Sequence, residues 1–238
     1  MIKLFCDSAD FNSIKKNSSN PLIKGWTTNP TLMAKAGIID YEKFARDTIY
    51  YLQENRPDTC LSLEIFADTD HEMMTQARKI HSWSEKYPVY VKIPITDTRG
   101  SYSHFMTPLS AEGIKLNITA ILTEEQIEYA YKSLNHKVPS IISIFAGRIY
   151  DTGVDAAELI RNATYNFEPP AFSNIEILWA SPRQVYYYVL AKNIGCDIIT
   201  MTPELIAKLK LFDKSLYDYS LETVRMFFED GVKAGYKI

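Results

Sequence analysis

The chain has 238 residues, with 26 Lys and Arg against 29 Asp and Glu, and a formal net charge of −3. That balance gives no support for nucleic-acid binding, and a composition 46% hydrophobic and 23% charged is that of a globular protein. No apolar run reaches the roughly eighteen residues a membrane-spanning helix needs. Met1–Asp7 lacks the apolar core and small-residue cleavage site of a secretory signal, so a cytoplasmic location is expected. Cys6, Cys60 and Cys196 lie far apart and are odd in number, which reads as reduced core thiols rather than a disulfide or zinc framework. His71, His81, His104 and His136 have no metal-ligand spacing, so no metal site is expected, and Gly-rich nucleotide motifs are absent, so no nucleotide is expected.

In chain order the pattern is strand then helix, eight times over. Candidate strands are Ile2–Asp7, Ile23–Asn29, Cys60–Phe66, Val89–Ile95, Ile114–Ile121, Ser140–Ala146, Ile175–Ser181 and Asp197–Met201. Between them, Tyr41–Leu52 places Phe44, Thr48, Tyr51 and Leu52 on one helical face. Thr69–Glu72 and Thr123–Gln126 are capping boxes. Ser181-Pro182 and Thr202-Pro203 each set proline at a first helical position, and Asp155–Thr164 is a further helix. No linker or internal repeat divides the chain, so a single domain over residues 1–238 is expected. Alternating βα units imply a parallel sheet, and eight in this length imply one closed (β/α)8 barrel. An additional C-terminal helix, about 220–234, carries Leu221, Val224, Phe227, Phe228 and Val232.

In such a barrel one strand face packs on helices and the other fills the interior, whose C-terminal layer forms the active site. Val89, Val91, Ile93 and Ile95 alternate with Tyr90, Lys92 and Pro94, which turns Lys92 inward in the middle of an apolar strand. The same reading turns Asp7 inward on the first strand, Gly25, Thr27 and Asn29 on the second, and Ser62 and Glu64 on the third. It places Asn117 and Thr119 inward on the fifth, with Ile114, Leu116, Ile118 and Ala120 outward. Ser143 and Phe145 face inward on the sixth, and the seventh ends at Ser181. Each polar residue has a plain structural role open to it. Asp7 can cap the next helix, Asn29 before Pro30 can set a turn, Glu64 can pair with Lys92, and Thr119 and Ser143 can satisfy backbone groups. Together they place Asp, Glu and Lys in one barrel interior, which is costly without a task.

A desolvated lysine between two carboxylates suits imine chemistry on a sugar ketone. Lys92 is the nucleophile, with Asp7 and Glu64 as acid/base groups. A phosphate would need cations at the rim, where Arg148 and Arg183 are placed, the second in the first helical turn after the seventh strand.

Several stretches carry a resemblance. They are Leu4–Asp10, Thr27-Thr28-Asn29-Pro30-Thr31, Val91-Lys92-Ile93-Pro94, Glu112–Thr119 and Phe145-Ala146-Gly147-Arg148-Ile149. Over nearly the whole chain the sequence resembles the transaldolase family, especially the short-chain branch that includes the fructose-6-phosphate aldolases. The resemblance implies a cofactor-free (β/α)8 barrel in which Lys92 forms the Schiff base and Asp7 serves the sugar C4 hydroxyl. It further implies that Glu64 and Thr119 hold the catalytic water, that Thr28, Asn29, Asn117 and Ser143 line the dihydroxyacetone subsite, and that Arg148 binds phosphate. Family aldolases resemble one another in carrying Gln where this chain has Glu64 and Tyr where it has Phe145; here the transaldolase pair stands at both positions.

The implied activity is a transferase reaction of the pentose phosphate pathway. A dihydroxyacetone unit passes between sedoheptulose 7-phosphate and glyceraldehyde 3-phosphate, giving erythrose 4-phosphate and fructose 6-phosphate. Fructose-6-phosphate aldolase is the nearest alternative, another Schiff-base aldolase lies further off, and a non-catalytic sugar-phosphate-binding barrel is the alternative of another class. Trp179–Arg183 departs from the family pattern, which leaves the substrate-binding roles of Ser181 and Arg183 open. Partners are expected to be sugar phosphates, with no nucleic acid and no membrane, and a homo-oligomer formed through the C-terminal helix.

Overall fold

Eight parallel strands, each paired with the next and the last paired back to the first, close a barrel in the computed structural model, which describes residues 2–84, 86–166 and 173–237. The order is β1 (Lys3–Asp7), α1 (Phe11–Asn17), β2 (Ile23–Thr27), α2 (Pro30–Lys35), α3 (Tyr41–Asn55), β3 (Cys60–Glu64), α4 (Asp70–His81) and β4 (Val89–Pro94). There follow α5 (Met106–Ala111), β5 (Leu116–Ile121), α6 (Glu124–Ser133), β6 (Ser140–Ile144), α7 (Ala146–Tyr150) and α8 (Ala156–Asn166). The chain continues through β7 (Ile175–Trp179), α9 (Tyr187–Asn193), β8 (Ile198–Met201), α10 (Pro203–Ala207), a 3-10 turn (Lys208–Leu211) and α11 (Leu216–Ala234). The (β/α)8 barrel expected from the alternation is therefore the fold.

Local chemistry sets the boundaries. Thr123 and Gln126 form a reciprocal capping box at α6, and Thr69 caps α4. Asp10 caps α1 by accepting from the Asn12 N–H at 2.9 Å, so the carboxylate of Asp7 is not the cap. On β3, β4 and β5 the helix-facing residues Leu61, Leu63, Val91, Ile93, Leu116 and Ile118 are apolar and 0% exposed. Inside the barrel, Phe5, Ile141, Leu178, Ala180 and Ile198 form an apolar plug, against which Phe145 packs. Gly25 makes room for it, since a Cβ there would sit 2.6 Å from the Phe5 ring.

Two local expectations are corrected. Strand alternation puts Ala120 outward, but its φ of +59° introduces a register shift between Ile118 and Ile121. The irregularity leaves Ala120 exposed and returns Ile121 to the core, as a β-bulge does. Ser181-Pro182 does not open a helix. Ser181 has φ +60°, outside the extended region an N-cap needs, and α9 begins only at Tyr187. Arg183 is consequently not beside a helix N-terminus.

The chain divides into two compact units, one ending at Ile206 and one beginning at Ala207. In the second, Ser215 caps α11 by accepting from the Asp218 N–H, and Gly235 ends the helix with φ +69°. The helix starts a turn before the expected position because the cap, rather than the first apolar residue, sets its origin. No helix among the described residues is long and apolar enough to cross a membrane.

Candidate active site

The C-terminal ends of the strands surround a cavity of about 460 Å³. Its wall includes Asp7, Asn29, Glu64, Lys92, Thr119, Ser143, Phe145, Arg148, Ser181 and Arg183. Thr28 and Asn117, also singled out in the sequence, do not line it.

Lys92 is 6% exposed, and its Nζ donates to Glu64 Oε2 at 3.1 Å and to the backbone carbonyl of Thr28. Strand register explains the first contact: Glu64 and Lys92 are neighbours across the β3–β4 pair. The other carboxylate oxygen, Glu64 Oε1, accepts from Thr119 Oγ1 at 2.8 Å. Tyr41 Oη donates to the Glu64 carbonyl at 2.7 Å and ties the end of β3 to α3. Thr28 thus contributes a carbonyl to the lysine, while its hydroxyl donates to the Ser62 carbonyl at 3.1 Å.

Asp7 projects into the same cavity from β1. Its Oδ1 accepts from Thr27 Oγ1 at 2.7 Å, and Thr27 Oγ1 lies 2.6 Å from Thr200 Oγ1. Burial pushes the Asp7 carboxyl above its ordinary value. Attraction to Lys92 and the Thr27 hydrogen bond oppose that shift, and repulsion from Glu64 adds to it.

Asn29 caps α2, its Oδ1 accepting from the Leu32 N–H at 2.9 Å. That bond leaves the Nδ2 protons as donors at the cavity wall. Asn117 is 0% exposed and lies below the cavity. It donates to Ser62 Oγ at 3.2 Å and accepts from Ser143 Oγ at 2.6 Å, so its amide supports Ser143, which does line the cavity.

Arg148 follows β6 on α7, is exposed, and makes no ion pair among the described residues. Arg183 pairs with Asp151 at 2.7 Å, both half exposed. Gly147 holds this rim together: a Cβ there would lie 1.6 Å from the Ser181 carbonyl oxygen, so only glycine lets α7 approach the segment after β7. Thr200, Thr202, Pro94, Ala120 and Ala180 also line the cavity, and the sequence reading misses them. For Thr200 the signal is present, since Ile198, Thr200 and Thr202 alternate with Ile199 and Met201. Among the described residues no group of three His, Cys, Asp or Glu side chains is arranged to hold a metal ion.

Fold and site together define a parallel (β/α)8 barrel with a buried lysine–carboxylate cluster at its C-terminal mouth. Residues 4–237 match the family model described as transaldolase/fructose-6-phosphate aldolase, and the chain belongs to that family of enzymes acting on sugar phosphates. A probable transaldolase of Streptococcus agalactiae serotype V is 33% identical over 222 residues, spanning 93% of this chain and 95% of the relative. A probable transaldolase of Novosphingobium aromaticivorans is 33% identical over 240 residues, spanning all of both chains. Among solved structures, a putative dihydrodipicolinate synthase family protein from Coccidioides immitis superposes with a TM-score of 0.57 at 13% identity, covering 94% of this chain and 76% of that one. An N-acetylneuraminate lyase from Mycoplasma synoviae gives 0.54 at 9% identity, covering 96% and 82%. These two likenesses bear on the fold alone.

Proposed function

We propose that the protein is a transaldolase working through a Schiff base on Lys92. The observation that carries this reading is the burial of Lys92 between Glu64 and the Thr28 carbonyl, in one cavity with Asp7. Attack on a ketone needs the neutral amine, and Glu64 is the carboxylate within reach of the proton it gives up. Lys92 Nζ adds to C2 of the ketose phosphate. Water then leaves the carbinolamine, with Glu64 and Thr119 holding and protonating it. Asp7 takes the C4 hydroxyl proton, the C3–C4 bond breaks, and its electron pair moves into the iminium to give an enamine and a free aldose phosphate. An acceptor aldehyde then reverses these steps.

Ser143, backed by Asn117, and the amide of Asn29 offer hydrogen bonds to the dihydroxyacetone hydroxyls. Arg148 and Arg183, which line one side of the rim, suit the phosphate of donor and acceptor. Phe145 presents a hydrocarbon face rather than a hydroxyl to the enamine, which favours holding the three-carbon unit for the acceptor over releasing it. The donor–acceptor pair is sedoheptulose 7-phosphate and glyceraldehyde 3-phosphate, in a cytoplasmic enzyme. The protein is further proposed to be a homo-oligomer.

Borohydride reduction in the presence of fructose 6-phosphate, followed by peptide mass analysis, tests the chemistry. A dihydroxyacetone-sized adduct on Lys92 is expected, and folded protein without an adduct would sink the reading. Erythrose 4-phosphate formed only when both sugar phosphates are present separates transfer from simple aldol cleavage.

A further inference from the structure

In a transaldolase working through Lys92, Asp7 takes the C4 hydroxyl proton and later returns it, and the role of Thr200 rests on that reading. A hydroxyl carries one proton. The proton of Thr27 is given to Asp7 Oδ1, so in the 2.6 Å contact between the two threonines Thr200 must be the donor. The chain of hydroxyls therefore has a direction, from Thr200 on β8 to Thr27 on β2 to Asp7 on β1. Thr27 is 3% exposed and Thr200 5%, and both sit at the wall of the cavity beside Asp7.

Direction decides where Asp7 can be protonated. A proton on Oδ1 would meet the Thr27 proton head on. Accommodating it requires Thr27 to turn and donate to Thr200, whose own proton must then find another acceptor. Among the described residues the Thr200 hydroxyl has no other hydrogen-bond partner. Oδ2 of Asp7 has none either, so a proton there displaces nothing.

We propose that Thr200 is a positioning residue: through Thr27 it keeps Oδ1 of Asp7 an acceptor, so that the proton exchanged with the substrate is carried on Oδ2. In the cleavage step Oδ2 takes the C4 hydroxyl proton, the C3–C4 electron pair enters the iminium, and Oδ1 stays bonded to Thr27 throughout. The step needs no oxidant or reductant. The carboxyl keeps its donor in both protonation states, so no hydroxyl has to reorient during the reaction.

The test compares wild type, Thr200→Val, Thr200→Cys and Thr200→Ser in the full chain, with fructose 6-phosphate and borohydride. Imine formation at Lys92 does not use the threonine pair, so every variant should give an adduct. In wild type the dihydroxyacetone-sized adduct should dominate. In Thr200→Val the adduct of the whole ketose phosphate should accumulate and turnover should fall roughly tenfold, part of what a placed acid/base group contributes. The limb of the kcat–pH profile belonging to Asp7 should move to higher pH, because Thr27, no longer receiving a hydrogen bond from Thr200, is a weaker donor to the ionised carboxyl. The charged groups facing Asp7, Lys92 on β4 and Glu64 on β3, are unchanged by the substitution. Thr200→Ser should restore both readouts. Thr200→Cys, a weak donor of similar size, should fall between and carries the test if the valine variant does not fold.

An adduct partition and pH profile unchanged in Thr200→Val or Thr200→Cys would overturn the role of Thr200 alone. So would a serine variant as impaired as the valine one, since that outcome assigns the effect to the methyl group. Absence of any adduct on the wild-type protein would overturn the Schiff-base reading, and the role of Thr200 with it.

Discussion

Lys92 and Glu64 face each other at 3.1 Å with side chains only 7% and 13% exposed. Such a pair gives up more hydration than its attraction returns unless every remaining lone pair and proton is satisfied. Thr119 and the Thr28 carbonyl supply that satisfaction. Asp7 has a single hydrogen bond among the described residues, and burial raises its carboxyl above the ordinary 3.8. The folded state therefore binds this proton more tightly than the unfolded chain does. The contribution to stability is full below the ordinary value and is lost as pH rises through the raised one. Asp7→Asn, whose Oδ1 can still accept from Thr27, should abolish turnover yet raise the melting temperature near pH 8. The gain should vanish by about pH 3, where both residues are neutral in both states. Each kcal/mol moves the midpoint of a chain this size by about 2–4 °C, so melts across that pH range read the effect; a constant gain at all pH values would point to packing instead. At Phe145, introducing the missing hydroxyl tests how the proposed enamine would be kept. Phe145→Tyr should raise simple aldol cleavage relative to transfer by roughly tenfold or more, the scale of one proton-transfer group. An unchanged ratio would remove Phe145 as the switch.

Elements bring these side chains to one place, and the least tolerant join is between α7 and the end of β7. A Cβ on Gly147 would lie 1.6 Å from the Ser181 oxygen and 2.8 Å from its carbonyl carbon, both backbone atoms that cannot rotate aside. Gly147→Ala should therefore displace the Ser181–Arg183 segment, cost about 3 kcal/mol in urea unfolding, and raise KM for phosphorylated substrates through Arg148 and Arg183. A variant as stable as wild type would show that the segment moves freely. Much of this architecture is legible in the sequence, because period-two alternation is a direct consequence of strand geometry. From it alone comes the inward placement of Asp7, Glu64, Lys92, Thr119 and Ser143 along the cavity. Three features lie beyond it. Ala120 in the left-handed region breaks the alternation that places it outward, and an alanine gives no hint of such a backbone. Ser181, also left-handed, precedes a proline that otherwise signals a helix start. Thr28 acts on Lys92 through its carbonyl, which every residue possesses and no pattern distinguishes.

For the whole molecule, closure of the barrel makes neighbours of residues at opposite ends of the chain. Thr27 and Thr200, 173 positions apart, meet only because β8 pairs with β1. The second compact unit poses the opposite problem. Its α11 has no buried residue, and Leu216 (83%), Val224 (59%), Phe227 (66%), Phe228 (72%) and Val232 (64%) are exposed. A contiguous apolar face of this kind is rare on monomers, and most helical stability in proteins comes from packing such a face rather than from propensity. The proposed association of copies through α11 would meet that need, and closed symmetric assembly would keep the faces from propagating into fibres. Light scattering on a sizing column should give a mass that is a multiple of 27.3 kDa. Phe227→Asp with Phe228→Asp should reduce it to the monomer, since a carboxylate in an apolar interface forfeits its hydration. Wild-type protein running as a monomer at micromolar concentration would rule the assembly out. Were the double variant to keep the wild-type mass, the contact would lie elsewhere on the chain.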